Sequence, residues 1–482
     1  MKKLDKKTHL KTISKKIFNI YLIYIFIFSI LIFAIHKPKE KQYGEFTNLN
    51  ESSIEASGQD RVVLVEERTD AYLTRLNIVG NAKNSLDISY YFLSDGVSTE
   101  TFLGGILDAA DRGIEVRILL DGLFHNLRGD LGDTIYTFKE HPNIQLKLYE
   151  PFNFFTPWAW NNRLHDKFII ADSEIAIIGG RNIGDKYFLQ DSTEIELVDD
   201  RDVLIFNDNP SNNDNSVIYK MEKYYNDLWN YDYSKPSVKK MTNKRKNRGQ
   251  EFGEKLRDRF NSFEDENPEI LNGVDWYNET IPTKNIDFVH NPIGRLNTDP
   301  NCLKELLRLG SNAEDSIFVQ SPYIIPSRNM RNKLNMYDID LEKVNILTNS
   351  FALSPNPLAV SGYANHRNKI IDSKIKLYEF QGEESLHTKT YVFDNNISVI
   401  GSFNFDHRSS YINTESMVII HSEDFTEQLK DTISVDINGS LQVGEDYNYI
   451  YDESVDEKNM SLIKKSLITM LSKVVFFIEY LL

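Results

Sequence analysis

One pattern occurs twice in this chain, in the same order, and it limits the possible folds more than any other feature. NAKNSLDISYYF (Asn81–Phe92) is matched by NAEDSIFVQSPYI (Asn312–Ile324), each reading as a helix end, a turn and a buried strand. GGILDAADRGIEVRILLDG (Gly104–Gly122) supplies a helix and a second strand in one half, and LEKVNILTNS (Leu341–Ser350) closes that unit in the other. KLYE then appears at Lys147–Glu150 and again at Lys376–Glu379. RLHDKFIIADSEIAIIGGRN (Arg163–Asn182) and SLHTKTYVFDNNISVIGSFN (Ser385–Asn404) each read as two strands joined by a polar turn, with a glycine-containing loop behind. DVLIF (Asp202–Phe206) and SMVII (Ser416–Ile420) close the halves as strands. Strands alternating with helices in each copy predict an α/β fold of two similar halves, each a mostly β sheet flanked by helices, related by a pseudo-twofold axis.

The repeated hairpins carry the candidate chemistry. His165, Lys167 and Asp172 stand in an H-x-K-x4-D spacing, followed by Gly179, Gly180 and Asn182; His387, Lys389 and Asp394 repeat it, followed by Gly401, Ser402 and Asn404. Residues two apart on a strand share a face, so each His–Lys pair points one way. A single H-x-K is ordinarily a core or surface pair. Its recurrence 222 residues later, at the equivalent place in a repeat, implies two pairs brought to one cleft. Two ammonium groups would repel a metal ion there, and no cofactor is called for. An anion is the natural guest: the lysines, the Asn182 and Asn404 amides, and the loop N–H groups at Gly180 and Ser402 can hold the oxygens of a phosphate. One histidine can then attack phosphorus to give a phosphohistidine, while the other protonates the leaving alcohol and deprotonates the incoming one.

The ends of the chain point to a membrane. Residues 1–16 hold seven lysines against one acid, a net of +6; the chain totals −16, so the other 466 residues carry −22. The nineteen residues Ile17 to Ile35 contain no charge, and as a helix they span about 28 Å, close to the hydrocarbon thickness of a bilayer. No small-x-small cleavage site follows, so the run reads as an uncleaved anchor, with its lysine side cytoplasmic and the body extracytoplasmic. The expected organisation is a basic tail at 1–16, an anchor at 17–35 and a tether at 36–60. The first half then occupies 61–232, a linker with a basic run 233–283, the second half 284–450, and an amphipathic C-terminal helix 451–482. VKKMTNKRKNRGQ (Val238–Gln250) shows no periodicity and reads as a solvated linker or exposed helix face, with anionic lipid headgroups as the functional alternative. The C-terminal helix suits either an interfacial position or packing on the core. The lone cysteine, Cys302, excludes a disulfide framework and a multi-cysteine zinc site. The acidic body argues against a nucleic-acid partner, whose binding requires neutralising phosphates.

These motifs resemble the phospholipase D superfamily, whose signature is a duplicated H-x-K-x4-D with a Gly-Ser or Gly-x-Asn loop behind it. The resemblance covers about residues 60–450 and is nearest to bacterial cardiolipin synthases. It is carried by GGRNIGDKYF (Gly179–Phe188) with Arg201–Asp202 after it, SPYIIP (Ser321–Pro326), ILTNS (Ile346–Ser350), GYANHR (Gly362–Arg367), GSFNFDHRS (Gly401–Ser409) with Asn413–Glu415, and IEYLL (Ile478–Leu482). It implies two phospholipase D-like halves sharing one active site, and transfer of a phosphatidyl group to the glycerol hydroxyl of phosphatidylglycerol. Phosphatidylglycerol or phosphatidylethanolamine would serve as donor. By the same resemblance His165 is the nucleophile, His387 the acid/base, and Asp172 and Asp394 supports; the sequence itself is symmetric between the histidines. Gly180 stands where many members have Ser, and Lys186 where the subgroup usually has an acid. A phospholipase using water as acceptor is the alternative, and a non-catalytic binder the third.

Overall fold

The computed structural model describes residues 2–38, 58–268 and 275–482. Most of the expected tether, residues 39–57, lies outside them. Two large sheets carry the repeat. The first runs Ile281–Pro282, Asp60–Val65, Asp202–Asn207, Ile175–Gly179, Phe168–Ala171, Ser85–Tyr90, Glu115–Asp121, Ile144–Tyr149, Ser234–Pro236. The second runs Asn285–His290, Ser416–His421, Ile397–Gly401, Thr390–Phe393, Ile317–Gln320, Val344–Asn349, Lys376–Phe380, Ser440–Gln442. Set aside the short Ile281–Pro282 edge, and the two orders correspond strand for strand. In each, two parallel pairings join the three strands that helices connect, and every other pairing is antiparallel.

The inner faces of both sheets meet in one apolar cluster. Phe168, Ile170, Ile178, Val203 and Ile205 from the first half join Val392, Ile400, Val418 and Ile420 from the second. Two helices complete it. Val217–Asn230, begun by the Ser216 side chain accepting from the Ile218 N–H, buries Met221, Tyr224 and Tyr225, while Glu423–Asn438 buries Phe425, Leu429 and Ile433. Burial on both sides makes these strands continuous apolar runs and holds the halves in a fixed relation.

The segment read as a linker does more than connect. Ser234–Pro236 pairs with Ile144–Tyr149 at the edge of the first sheet, beyond the expected boundary at 232. Asn243–Glu266 is a helix capped by the Thr242 side chain, packed on the first half through Gly249, Gly253, Leu256 and Phe260. That stripe has helical spacing, but two of its four members are glycines, so hydrophobicity does not display it. The glycines serve close approach: a Cβ on Gly249 would lie 2.8 Å from the Tyr136 carbonyl carbon. From Asn243 the basic run is the exposed face of this helix, as one of the sequence readings had it: Lys244, Lys246 and Arg248 are exposed, with Arg248 meeting Asp133 at 2.5 Å and Lys246 meeting Glu140 at 3.3 Å.

The N-terminal helix spans Lys2–Phe26, widens by one π-turn at Ile27–Leu31 and resumes at Ile32–Ile35. Its apolar part, Lys11–Ile35, is long enough to cross a bilayer and is mostly unburied. Its last turns dock on the body. Phe33 is 1 % exposed within the core of the second half, and Asn297 donates to the carbonyls of Phe33 and His36 at 2.9 and 2.8 Å. Tyr21 stacks on Phe154 at 4.1 Å. The C-terminal helix, Leu462–Ile478, seats Ile468 and Val475 and leaves Leu462, Ile463, Met470, Val474, Phe476 and Phe477 exposed.

Candidate active site

The two motif strands enter the site by crossing to the opposite half. Leu164 forms a parallel bridge with Thr414, and Ser385–Leu386 pairs in parallel with Val198–Asp199. The His165 N–H donates to the Thr414 hydroxyl at 3.1 Å, and the His387 N–H to the Asp199 carbonyl at 2.6 Å. Each histidine is thereby delivered to an acid of the other half. His165 Nδ1 lies 2.9 Å from Glu415 Oε2, and His387 Nδ1 lies 2.5 Å from Asp200 Oδ2. A partner at Nδ1 fixes ring orientation and leaves Nε2 for the substrate. Tyr91 meets the His165 ring edge-on at 5.1 Å, and Tyr187 lies 6.0 Å from the His387 ring.

The lysines complete the pairs. Lys167 Nζ donates to the His165 carbonyl at 2.5 Å; Lys389 Nζ contacts the His387 carbonyl and lies 2.7 Å from His387 Nδ1 and 3.6 Å from Asp200. Both are 1 % exposed. Burial pushes Lys167 down to about 7 and Lys389 down to about 8, although nearby carboxylates draw them back up. Burial, then Lys167 and Lys389, hold His165 well below the usual imidazole range, while burial and Lys389 bring His387 down to about 3. The charged form of both rings is thus disfavoured beside the two ammonium groups. Burial raises Glu415 to about 7; Asp200 is also buried, but Lys389 and His387 outweigh that and keep it low. Buried ammonium groups at low dielectric favour an anion that can share their charge.

The remaining sequence candidates divide. Asn182 and Asn404 lie at equivalent points, 5 % and 8 % exposed, and their side-chain oxygens have no hydrogen-bond partner among the described residues. Gly180 and Ser402 do not offer their backbone to a phosphate. The Gly180 N–H donates to the Arg201 carbonyl and the Ser402 N–H to the Ser416 carbonyl, because the loop continues the sheet pairing. Both act on the acids instead: Ser402 Oγ donates to Glu415 at 2.5 Å, and a Cβ on Gly180 would sit 2.0 Å from Asp200 Oδ1. The shorter acid thus needs glycine where the longer one takes a serine hydroxyl, which accounts for Gly180.

Asp172 and Asp394 are not in the cleft. They occupy the hairpin turns with φ of 56° and 54°, five residues of extended chain, roughly 16 Å, beyond each lysine. Asp172 accepts the N–H groups of Lys83, Asn84 and Ser85, and Asp394 those of Glu314, Asp315 and Ser316. Each ties its hairpin turn to the chain entering a neighbouring strand.

Sequence reasoning missed Asp200 and Glu415 as site residues, though both lie in or beside stretches that carried the resemblance. It also missed Arg201, which is 1 % exposed and joins the halves. Arg201 holds Glu66 at 2.6 and 2.9 Å, Gln320 at 2.9 Å and Thr390 at 3.0 Å.

Comparison with known proteins agrees with this arrangement. The family described as "Cardiolipin synthase, PLD-like domain" matches residues 76–229 and 306–437, one stretch in each half. An uncharacterized protein of Helicobacter pylori (strain ATCC 700392 / 26695) is 30 % identical over 408 residues, covering 76 % of this chain and 77 % of that one. Cardiolipin synthase C of Escherichia coli (strain K12) is 28 % identical over 407 residues, covering 76 % and 82 %. The crystal structure of phosphatidylserine synthase from Haemophilus influenzae Rd KW20 superposes with a TM-score of 0.60 at 14 % identity, covering 87 % of this chain and 95 % of that one. The chain belongs to the cardiolipin synthase family of phospholipase D-like proteins. It is a cardiolipin synthase-like phosphatidyltransferase of that superfamily.

Proposed function

We propose that the protein forms cardiolipin at a membrane by passing a phosphatidyl group to a glycerol hydroxyl of phosphatidylglycerol, through a phosphohistidine on His165. The observation that carries this reading is the reciprocal pairing of two buried, neutral histidines with acids from opposite halves. His165 Nε2 attacks phosphorus, and the bond from phosphorus to the leaving glycerol oxygen breaks. Glu415 takes up the positive charge that develops on the ring through the Nδ1–H. As the phosphodiester binds and offsets the charge of Lys167 and Lys389, His387 takes up a proton from solvent, and it gives this proton to the leaving oxygen. It then removes the proton of the incoming hydroxyl, and the phosphorus–nitrogen bond breaks. The two lysines and the amides of Asn182 and Asn404 hold the non-bridging oxygens.

Membrane anchoring by Lys11–Ile35 suits an acyl-chain substrate. The lysine-rich N-terminus supports a body on the extracytoplasmic side, where protease added to intact cells should digest it.

The test is to supply membranes carrying the protein with labelled phosphatidylglycerol and to separate the lipids. Labelled cardiolipin is expected, with loss of at least 10³-fold in His165→Ala and His387→Ala, and a label on His165 after rapid quench of the wild-type protein in alkaline denaturant, where a phosphorus–nitrogen bond survives. Phosphatidic acid without cardiolipin would replace the transferase reading with the phospholipase reading.

A further inference from the structure

The two halves differ where their strand orders do not. In the first, the crossover from Ser85–Tyr90 to Glu115–Asp121 is the helix Val97–Asp111, fifteen residues long, whose Phe102, Leu103, Ile106 and Leu107 join the core on that sheet. In the second, the equivalent crossover from Ile317–Gln320 to Val344–Asn349 is Arg328–Leu334, only seven residues. The sheet face that the longer helix would cover is left facing a cavity of about 520 Å³. Its floor is Ile317, Val319, Val344 and Ile346. Arg328, Arg331 and Lys369 line it as well, and Arg328 and Lys369 are exposed.

We propose that this cavity binds one acyl chain bearing a single anionic head, at a site separate from the catalytic cleft. The apolar floor suits a hydrocarbon chain, since walls facing a void forfeit the dispersion contacts a chain restores. The volume falls within the roughly 300–1,000 Å³ of small-ligand sites. Charge complementarity chooses the head. Arg328, Arg331 and Lys369 line the cavity with no acid among its lining residues, and Glu479 beside it is 2.7 Å from His366 and 4.0 Å from Arg331. Access from a bilayer follows from the same corner. Glu479 directly follows the C-terminal helix, whose Phe476 and Phe477 are exposed, and neighbouring Leu481 shares a core cluster with Phe33 of the N-terminal helix. The cavity thus lies beside the C-terminal helix that carries these exposed aromatic side chains.

The test uses full-length protein in phosphatidylcholine vesicles and a photoactivatable analogue of oleate, with labelled peptides mapped after irradiation. Saturable labelling of residues 306–346 is expected, at least fivefold lower in Val319→Phe, which fills the cavity. It should fall similarly in the double variant Arg331→Glu with Lys369→Glu. A melting transition within a few degrees of wild type shows that each variant is folded. Excess oleate or oleoyl-lysophosphatidylglycerol should compete, and which does so better identifies the head. Absence of saturable labelling in wild type, undiminished labelling in both variants, or equal competition by uncharged monoolein would overturn the proposal. None of these readouts depends on turnover.

Discussion

Replacing Asp394 by alanine separates a structural role from a catalytic one in a motif that lists His, Lys and Asp as equals. The carboxylate accepts three backbone N–H groups, from Glu314 at 3.1 Å, Asp315 at 2.7 Å and Ser316 at 3.0 Å. Hydrogen bonds to a charged acceptor contribute about 1.5–3 kcal/mol each, but Glu314 and Asp315 are exposed and their N–H groups can turn to water. Taking about 1 kcal/mol each gives about 3 kcal/mol. Because the two halves share one core cluster, they melt together, and at about 1 °C per kcal/mol for a body of roughly 400 residues the protein should melt about 3–4 °C lower. The pH dependence has a definite sign. Burial would raise the Asp394 carboxyl, but the N–H groups of Asp315, Ser316 and Glu314 outweigh it and hold it below the ordinary value. Its contribution is therefore present above a pH of about 4 and is lost as pH falls through the lowered pKa, so the gap between wild type and variant should close in acid. The assay is calorimetry over pH 3–8 beside cardiolipin formation per folded molecule at a temperature where both proteins are native. A turnover loss above 10²-fold with an unchanged melting temperature would refute the structural assignment. Asp172→Ala, which removes the acceptor of the Lys83, Asn84 and Ser85 N–H groups, should lower the melting temperature similarly.

Other expectations follow from the same contacts. Glu415→Gln leaves His165 without its charged partner and should lower kcat by about 10²–10⁴-fold with little change in KM, read from initial rates. Because burial raises Glu415 to about 7, kcat/KM should fall as pH drops from about 7 to 5.5 and that carboxylate takes up a proton, a limb absent in Glu415→Gln. Because Lys167 and Lys389 sit near about 7 and 8, kcat/KM should decline as pH rises from about 7 to 9, while kcat, measured with the phosphate bound, persists to higher pH. Arg201→Met strands Glu66 and Asp436 between the halves and should cost about 3 kcal/mol in denaturant unfolding.

Much of this protein is legible one residue at a time. The doubled H-x-K pattern located both histidines and both lysines, and the alternation of strands and helices around it foretold two sheets of one design. Nineteen uncharged residues behind a lysine cluster marked the only candidate membrane helix found among the described residues. These are local or periodic signals, and periodicity survives in a linear string. The helix Asn243–Glu266 escaped because half of its contact stripe is glycine, whose value lies in what it permits a neighbour to do.

The site needed the third dimension. Glu415 and Asp200 stand 250 and 187 residues from the histidines they orient, so only the docking of the two sheets pairs them. The same register put the Gly180 and Ser402 N–H groups into sheet pairing and set Asp172 and Asp394 at the far ends of their hairpins. The sequence by itself determined which residue types the repeat supplies and where each stands along its strand. Tertiary packing decided which carboxylate meets which imidazole, because hydrogen bonds depend on distances of tenths of an ångström across elements that share no local pattern.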